Sequence, residues 1–582
     1  MEDFILKYAK KTPNKIAIIF KEKKVTYYEL NKQVNSIANY LNSKYKDIKA
    51  IGLYMDRSYE MLLGVLVSLR LNIPYVMLNY MAPESRNREI IEASKINFVL
   101  TYDNFIASAN KIIKNTINIS TLEIDYNTKD IFVNPIYGAT AYIMFTSGTT
   151  GVPKGVKVSR EALNFFITEY SKKIQLSCDD KVDYALSAVF TGSIPCYLPP
   201  LYKGGTLVIQ PEGILSNPKL YVESIIAQNI NYLKFTPTIF EIVLPYLINY
   251  KNHKLNIILS GEKLLRSKIK DFIGDVNWNV YNQYGFTECV AGLTSHLLNK
   301  EDADSSISKY VPVGKCFPGR KILLLNDKDQ EIKNCNVVGK LYAGGAGLAD
   351  GYINEDSNSS FMVIAGERFY NTGDLAMFDY NNNINIIGRS DSQVKVNGVR
   401  IELSEIESAI IEHQNISNAY VMFNEEQGKI FAYFISNKEK NIKEKEIFNY
   451  LKNKLPHYMI PSVIIALENF PQTDNGKVDW RKLPLKKTSS DNSIDIENLT
   501  EKEHIILELW EEVLKEKIYS IDEDFFESGG TSLQAYQILI KLNCNFGLNL
   551  SIDYIFKNRT IRAQALYLGD IEDSLEEIDE EF

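Results

Sequence analysis

A large α/β region followed by a small helical one is the fold class this sequence predicts, and three observations predict it. Over most of the chain, short apolar runs rich in strand formers alternate with stretches of helical spacing. Between two such runs lies a Gly- and hydroxyl-rich loop, Thr146-Ser147-Gly148-Thr149-Thr150-Gly151-Val152-Pro153-Lys154-Gly155. Past a polar, charged and turn-rich stretch at 486–498, the pattern turns helical.

In order, Ala17–Phe20 and Ile51–Tyr54 read as strands, with Tyr28–Leu41 helical between them. Thr26 with Glu29 three residues on forms a capping box for that helix. Met61–Leu71 is an apolar helix leading to a strand at Tyr75–Leu78. Ala141–Phe145 and Val156–Val158 are the strands flanking the loop, and others follow at Thr206–Ile209, Tyr232–Phe235 and Asn256–Ser260. Gly339–Tyr352 is a Gly-rich β segment, and Tyr370–Leu375 places Asp374 on a tight turn. A helix at Glu402–Glu412 precedes strands at Ala419–Phe423 and Ile430–Ile435, and Asn475-Gly476 predicts a sharp turn. Glu501–Leu514 is helical, apolar at Ile505, Leu509 and Val513. A second helix starts near Ser532, with Leu533, Tyr536 and Ile540 on one face. An acidic, solvated tail follows Leu568, and there are no internal repeats.

At 582 residues the chain has room for roughly four domains. A net charge of -8 and a pI near 5.5 argue against an electrostatic nucleic-acid binder. Hydrophobic residues at 45% and charged residues at 24% are ordinary for a soluble globular protein, and no apolar run approaches a membrane span. The N-terminus is charged on both sides of a very short apolar patch, so it is no signal peptide. Cys178, Cys196, Cys289, Cys316, Cys335 and Cys544 are scattered, as are the 5 histidines. That spacing excludes a conventional zinc site and fits reduced, buried thiols in a cytoplasmic protein.

The loop has the equipment for a polyphosphate. Glycines let backbone amides crowd an anion, hydroxyls donate hydrogen bonds, and Lys154 adds a point charge. It is not the common P-loop, since Gly148 and Gly151 enclose only two residues and Lys154 is followed by Gly155. Taken alone, such a cluster is more often the tip of a surface hairpin.

The loop resembles the phosphate loop of the adenylate-forming superfamily, which includes acyl-CoA ligases, luciferases and the adenylation domains of nonribosomal peptide synthetases. Tyr281-Asn282-Gln283-Tyr284-Gly285-Phe286-Thr287-Glu288 is similar to that family's adenine motif, with Phe286 where the family usually has Pro. Tyr370–Leu375 is similar to its ribose motif, Gly388–Gly398 to its hinge, and Asn475–Asp479 to the turn carrying its catalytic lysine. The stretches at 25–30, 69–79 and 339–352 resemble core motifs too, the last loosely, since Lys340 and Asp350 replace the typical Glu and Arg. Trp480 stands where an arginine is usual, with Arg481 one step late. Near the C-terminus, Asp524-Phe525-Phe526-Glu527-Ser528-Gly529-Gly530-Thr531-Ser532-Leu533 looks like a peptidyl carrier domain, with Thr531 in place of the usual Asp or His.

These resemblances imply a fold of three parts: a large α/β N-terminal subdomain at 1–390, a small α+β C-terminal lid at 391–485 and, past the linker, a four-helix-bundle carrier at 499–569, with the tail at 570–582. They imply roles as well. Thr146, Ser147, Gly148, Thr149, Thr150, Gly151 and Lys154 would hold the outgoing pyrophosphate. Gly261, Asn282 and Tyr284 would contact the nucleotide, Tyr284 by stacking on the purine. Thr287 would bond a phosphate oxygen, Glu288 would ligate Mg2+, Asp374 would grip the ribose hydroxyls, and Arg389 would contact the ribose. Asp391 would be the pivot of a rotating lid and Lys477 its catalytic lysine, while Ser532 would carry 4′-phosphopantetheine.

The implied reaction converts an acid and magnesium-ATP into an acyl-adenylate, then into a thioester on the protein's own carrier. Two alternatives are an acyl-CoA ligase using free coenzyme A, and a carrier platform with a dead adenylation domain. The carrier segment and Asp391 argue against the first; Lys154, Glu288, Asp374, Arg389 and Lys477, all present, argue against the second. Implied partners are a phosphopantetheinyl transferase and a condensation or tailoring enzyme that takes the thioester. A small activator protein is left open, and neither a nucleic acid nor a membrane partner is expected. By local alignment the acid would sit among Phe190, Thr191, Gly192, Pro195, Lys234, Ile258, Ser260, Gln283, Ala291 and Gly292. Thr191 replaces the Asp that pairs with the ammonium of an α-amino acid, and Lys234 adds a cation. That favours an acid without a free α-amine in the usual place, such as a hydroxy, keto, aryl or β-amino acid, with or without a second acidic group; otherwise Lys234 is a solvated strand lysine.

Overall fold

A computed structural model describes the chain except residues 1–2, 129, 132–137, 149–152, 305–307, 354–358, 392, 397, 426, 438–441, 473–477, 485–498, 516, 519, 527, 549, 551 and 570–582. It divides into two compact units, one formed by 1–148, 152–212 and 219–402, the other by 149–151, 213–218 and 403–582.

The first unit is built on apolar runs short enough to be strands and buried enough to be parallel ones. Ile51–Tyr54, Tyr75–Leu78, Phe98–Thr101, Thr206–Ile209 and Tyr232–Phe235 are buried at every position, the pattern of strands covered on both faces. In one nine-stranded sheet, strands 278–284, 255–260, 232–235, 181–184, 206–209 and 16–20 lie side by side and parallel. In a seven-stranded sheet, 140–146, 75–78, 51–54, 98–101 and 116–118 do the same, and 140–146 turns back antiparallel onto 154–159 through the Gly-rich loop. Helix Tyr27–Lys44 starts at the capping box formed by Thr26 and Glu29. Helix Tyr59–Leu71 buries all but one of its residues, as a helix packed on all sides must. A five-stranded antiparallel sheet and the hairpin Gln393–Val396/Val399–Glu402 complete the unit.

In the second unit, strands Ile416–Asn424, Lys429–Ser436 and Val463–Ala466 form a sheet with helices Leu403–Ile411 and Glu444–Lys452, around Phe431, Tyr433, Ile465 and Leu483. Its C-terminal part is four helices, Glu501–Leu514, Ser532–Phe546, Ile552–Lys557 and 561–569. They close on Trp510, Phe525, Ile538, Leu542, Ile555 and Ile561.

The layers agree with the α/β, α+β and four-helix expectation, and two details differ. Asp374 lies inside the twelve-residue strand Glu367–Phe378 rather than on a tight turn. Gly373, at φ 74°, bends that strand without ending it, because both flanks stay paired to neighbours. The six cysteines are free, but Cys178 and Cys544 are exposed, so burial holds only for Cys196 and Cys289 in full. The first unit runs on past Asp391 to Glu402. The linker and the acidic tail lie outside the described residues. Among the described residues no helix is long and apolar enough to cross a membrane.

The C-terminal bundle depends on Trp510, fully buried, edge-on to Phe525 at 4.9 Å and donating its indole N–H to Gln564 at 3.1 Å. Trp510→Ala is expected to destabilise the bundle by about 3–5 kcal/mol. Hydrogen exchange on the full chain should quicken across 501–569 and stay unchanged across 1–402.

Candidate active site

Strand 367–378 pairs antiparallel with Ile384–Arg389, which sets Asp374 opposite Arg389. The buried Asp374 carboxylate accepts from Arg389 Nη1 at 2.8 Å and, on its other oxygen, from the Tyr284 hydroxyl. Arg389 spends its remaining donors nearby: Nε and Nη2 reach the two oxygens of Asp391 at 2.7 Å each, and Nη2 also reaches the Thr372 carbonyl and Gln393. These groups close tightly over Gly373, where a Cβ would stand 2.3 Å from Asp391 Oδ2. Gln393 donates in turn to Glu402, whose carboxyl burial pushes above the usual range.

The hairpin that begins at Gln393 brings two cations to the same place. Lys395 and Arg400 are cross-strand partners, an arrangement that costs energy unless each meets an anion. Arg400 faces Glu288, its Nη1 at 3.3 Å and 3.4 Å from the two carboxylate oxygens. Glu288 is 1% exposed and also accepts from the hydroxyls of Tyr352 at 2.6 Å and Tyr370 at 2.9 Å. Lys395 holds its ammonium 5.2 Å from the centre of the Tyr284 ring; burial pulls its pKa below the usual lysine range, with Asp374 the foremost charge opposing that. Ser147, at the mouth of the Gly-rich loop, clasps the hairpin: its hydroxyl donates to the Arg400 carbonyl at 3.1 Å and accepts from the Glu402 amide at 3.2 Å.

The turn after Tyr284 folds back on itself. The Leu293 amide donates to the Tyr284 carbonyl, and Gly285 runs so close to Ala291 that a Cβ would stand 2.2 Å from its carbonyl oxygen. Val290 and Ala291 both take left-handed φ, 52° and 67°, an outlying conformation for a β-branched residue. Thr287 receives a hydrogen bond from the Thr191 hydroxyl at 3.1 Å, which ties the Phe190–Ser193 turn to the residue before Glu288. Helix Ile194–Lys203 follows at once and carries Pro195 and Cys196 into a cavity also lined by Tyr170, Tyr232, Lys234 and Ile258.

Of the residues the sequence singled out, Ser147, Tyr284, Thr287, Glu288, Asp374, Arg389 and Asp391 therefore fall into one connected cluster. Tyr284 spends its hydroxyl on Asp374, with Phe286 packed edge-on to its ring at 5.8 Å. Asn282 donates instead to the carbonyls of Val311 and Pro312, and among the described residues its own buried oxygen has no hydrogen-bond partner. Gly261 lies against Gly398 at the hairpin tip. Thr146 donates to the Lys154 carbonyl at 3.5 Å across the base of the loop. Of the acid-pocket positions, Pro195, Lys234 and Ile258 share the cavity; Ser260 and Gln283 pair on adjacent strands, and Gly292 is wedged between Phe166 and Phe317. Thr149, Thr150, Gly151 and Lys477 lie outside the described residues. Ser532 opens its helix directly after Thr531, the N-cap, whose side chain accepts from the Gln534 amide. Sequence inspection missed Arg400, Lys395, Tyr352 and Tyr370. Two bases set opposite each other in Val394-Lys395-Val396 and Val399-Arg400-Ile401 were the available signal.

A family model described as AMP-binding enzyme matches residues 5–353, its C-terminal domain matches 405–477, and one described as phosphopantetheine attachment site matches 504–568. The chain is 30% identical over 589 residues to gramicidin S synthase 2 of Aneurinibacillus migulanus, covering 98% of this chain and 13% of that protein. It is 30% identical to bacitracin synthase 2 of Bacillus licheniformis, covering 96% of this chain and 21% of that one. The chain thus spans about an eighth to a fifth of the length of these relatives. Among solved structures, a four-domain nonribosomal peptide synthetase bound to AMP and glycine matches at 25% identity with a TM-score of 0.60, over 98% of this chain and 42% of that one. A nonribosomal peptide synthetase protein containing adenylation and PCP domains, bound to a vinylsulfonamide inhibitor, has the same fold: TM-score 0.80 at 23% identity, over 97% and 95% of the two chains.

The cluster around Gly373 admits a direct test. Gly373→Ala puts a side chain into a left-handed position already closed by Asp391 and Arg389. It is expected to cost about 1–2 kcal/mol for the backbone alone and to loosen the Arg389–Asp374 pair. A lower melting temperature and weaker AMP binding should appear together; wild-type values for both would refute the packing described.

Proposed function

Because the chain belongs to the AMP-binding enzyme family, we propose that it activates a carboxylic acid as an acyl-adenylate and loads it onto its own carrier domain. The observation that carries this reading is the succession, in one chain, of an AMP-binding segment, its C-terminal partner and a phosphopantetheine attachment segment. The domain limits at 390, 485 and 498 belong to the same proposal.

In the first half-reaction an oxygen of the substrate carboxylate forms a bond to the α-phosphorus of ATP, and the bond to pyrophosphate breaks. Such chemistry needs positioning and charge more than covalent help. Thr146 to Lys154 hold the leaving pyrophosphate. Asp374 offers a buried, acceptor-only carboxylate to the ribose hydroxyls, in exchange for the Tyr284 hydroxyl it binds now. Arg389, fixed from the other side by Asp391, keeps that carboxylate aimed. Lys477 bridges the substrate carboxylate and the nucleotide. Glu288, a hard oxygen donor, would be suited to hold the magnesium that would enter with ATP and help neutralise its phosphates. Arg400 and two tyrosine hydroxyls hold Glu288 in this structure.

In the second half-reaction the acyl–phosphate bond breaks as the acyl carbon passes to sulfur, and AMP leaves. Ser532 would hold the 4′-phosphopantetheine arm, which would supply the thiol for that transfer. The local structure suits its attachment: Ser532 is the first residue of a fifteen-residue helix, whose N-terminus favours a phosphate. The lid bearing Lys477 must withdraw for the thiol to reach the same carbon, with Asp391 as pivot. A phosphopantetheinyl transferase is the required partner before this step, and a condensation or tailoring enzyme after it. Six free cysteines fit work in the reducing cytoplasm.

ATP–pyrophosphate exchange across a panel of acids tests the activation; exchange with none of them would overturn it. Transfer that requires free coenzyme A and ignores Ser532 would replace it with the acyl-CoA ligase alternative. Lys477→Ala is expected to slow adenylation by a hundredfold or more, the loss of about 3–4 kcal/mol typical for one preorganised contact to a transition state, while sparing transfer from supplied acyl-adenylate. Ser532→Ala is expected to adenylate normally and to gain no mass when incubated with a phosphopantetheinyl transferase and coenzyme A. Intact-protein mass spectrometry reads that directly, and a modified alanine variant would move the attachment to another serine.

A further inference from the structure

Strands 181–184, 232–235, 255–260 and 278–284 run parallel, so their carboxyl ends share one edge, with Thr287 and Glu288 just past the last of them. Open parallel sheets bind their ligands at such an edge. Lys234, the third residue of its strand, is 5% exposed there. Its ammonium donates to Ser260 Oγ at 2.7 Å on the neighbouring strand. An ammonium has three donors, and among the described residues it has no other hydrogen bond and no acidic partner.

The cavity beside it is walled by Tyr170, Val182, Pro195, Cys196, Tyr232 and Ile258, and Lys234 is the only charged side chain on the lining. Cys196 is the one acid that acts on Lys234, and burial pushes its thiol up to about 12, so it stays neutral. Burial pulls Lys234 itself down to about 8, which leaves it protonated at neutral pH. A buried charge held only by a hydroxyl is costly. No carboxylate lines the cavity to receive a substrate ammonium, and the nearby Thr191 hydroxyl is spent on Thr287.

We infer that this cavity receives the far, anionic end of the acid, so that the substrate is a small dicarboxylic acid whose second carboxylate pairs with Lys234. The inference rests on the acid-activation reading, since it assumes that the near carboxylate is the one adenylated. Lys234 is then a specificity residue that touches substrate but not the reacting atoms. Its removal raises KM for the diacid far more than it lowers kcat.

The test uses the full chain, wild type and Lys234→Met, with malonate, succinate, glutarate and adipate, each beside its monomethyl ester. Calorimetric binding and ATP–pyrophosphate exchange are read together. One diacid should be preferred over its ester by about a hundredfold or more in wild type, and Lys234→Met should abolish that preference through KM. The variant should melt at or above wild type, because it deletes an unpaired buried charge. A clearly lower melting temperature would mean that the protein already pairs the charge, and would overturn the inference. So would wild-type preference for the esters or for a neutral amino acid, unchanged in the variant, although acid activation would then stand. Lys234-dependent diacid binding without any exchange would uphold the site and overturn the activation reading instead.

Discussion

One buried carboxylate, Asp374, organises the first unit's functional edge. An ionised acid away from water is tolerable only with partners, and Asp374 has two of different kinds, a guanidinium and a phenol. The guanidinium is itself pinned by Asp391 and Gln393. Through Gln393 the constraint passes to Glu402, and through the Glu402 amide to Ser147 at the phosphate-type loop. Each link satisfies a group that would otherwise be buried unpaired. Elements more than two hundred residues apart in sequence are thus held together by successive acceptance of charge.

The parallel sheets lend this chain of contacts its rigidity. Their strands are short and covered on both faces, so register between neighbours is set by packing on both sides. The edge that carries Lys234, Ser260 and Gln283 is the exception, with polar side chains at the carboxyl ends of apolar strands. The turn beyond it is strained at Val290, which keeps its left-handed φ because the Leu293 amide and the close pass at Gly285 leave the backbone no other course. Function and strain sit on the same edge, as they do where a binding surface outweighs local comfort.

Much of this was legible in the sequence, and the failures have physical causes. Thr206–Ile209 and Tyr232–Phe235 were readable to the residue because fully buried strands are bounded by turn formers. The capping box at Thr26 marked its helix unambiguously. Helix Ile194–Lys203 was not readable: Pro195, Pro199 and Pro200 mimic a breaker, and only the burial of Ile194, Tyr197, Leu198 and Leu201 overrides them. Asp374 looked like a turn residue because a glycine precedes it, whereas that glycine bends a continuous strand. The partner of Glu288 was invisible for a different reason. Arg400 is 112 positions away, and no local periodicity encodes such a meeting.

That meeting makes the hairpin a counter-ion carried by the chain itself. Glu288 is almost wholly out of water, so Arg400 cannot leave it without some other positive charge arriving. The charge balance of that socket ties the hairpin to a turn more than a hundred residues away in sequence.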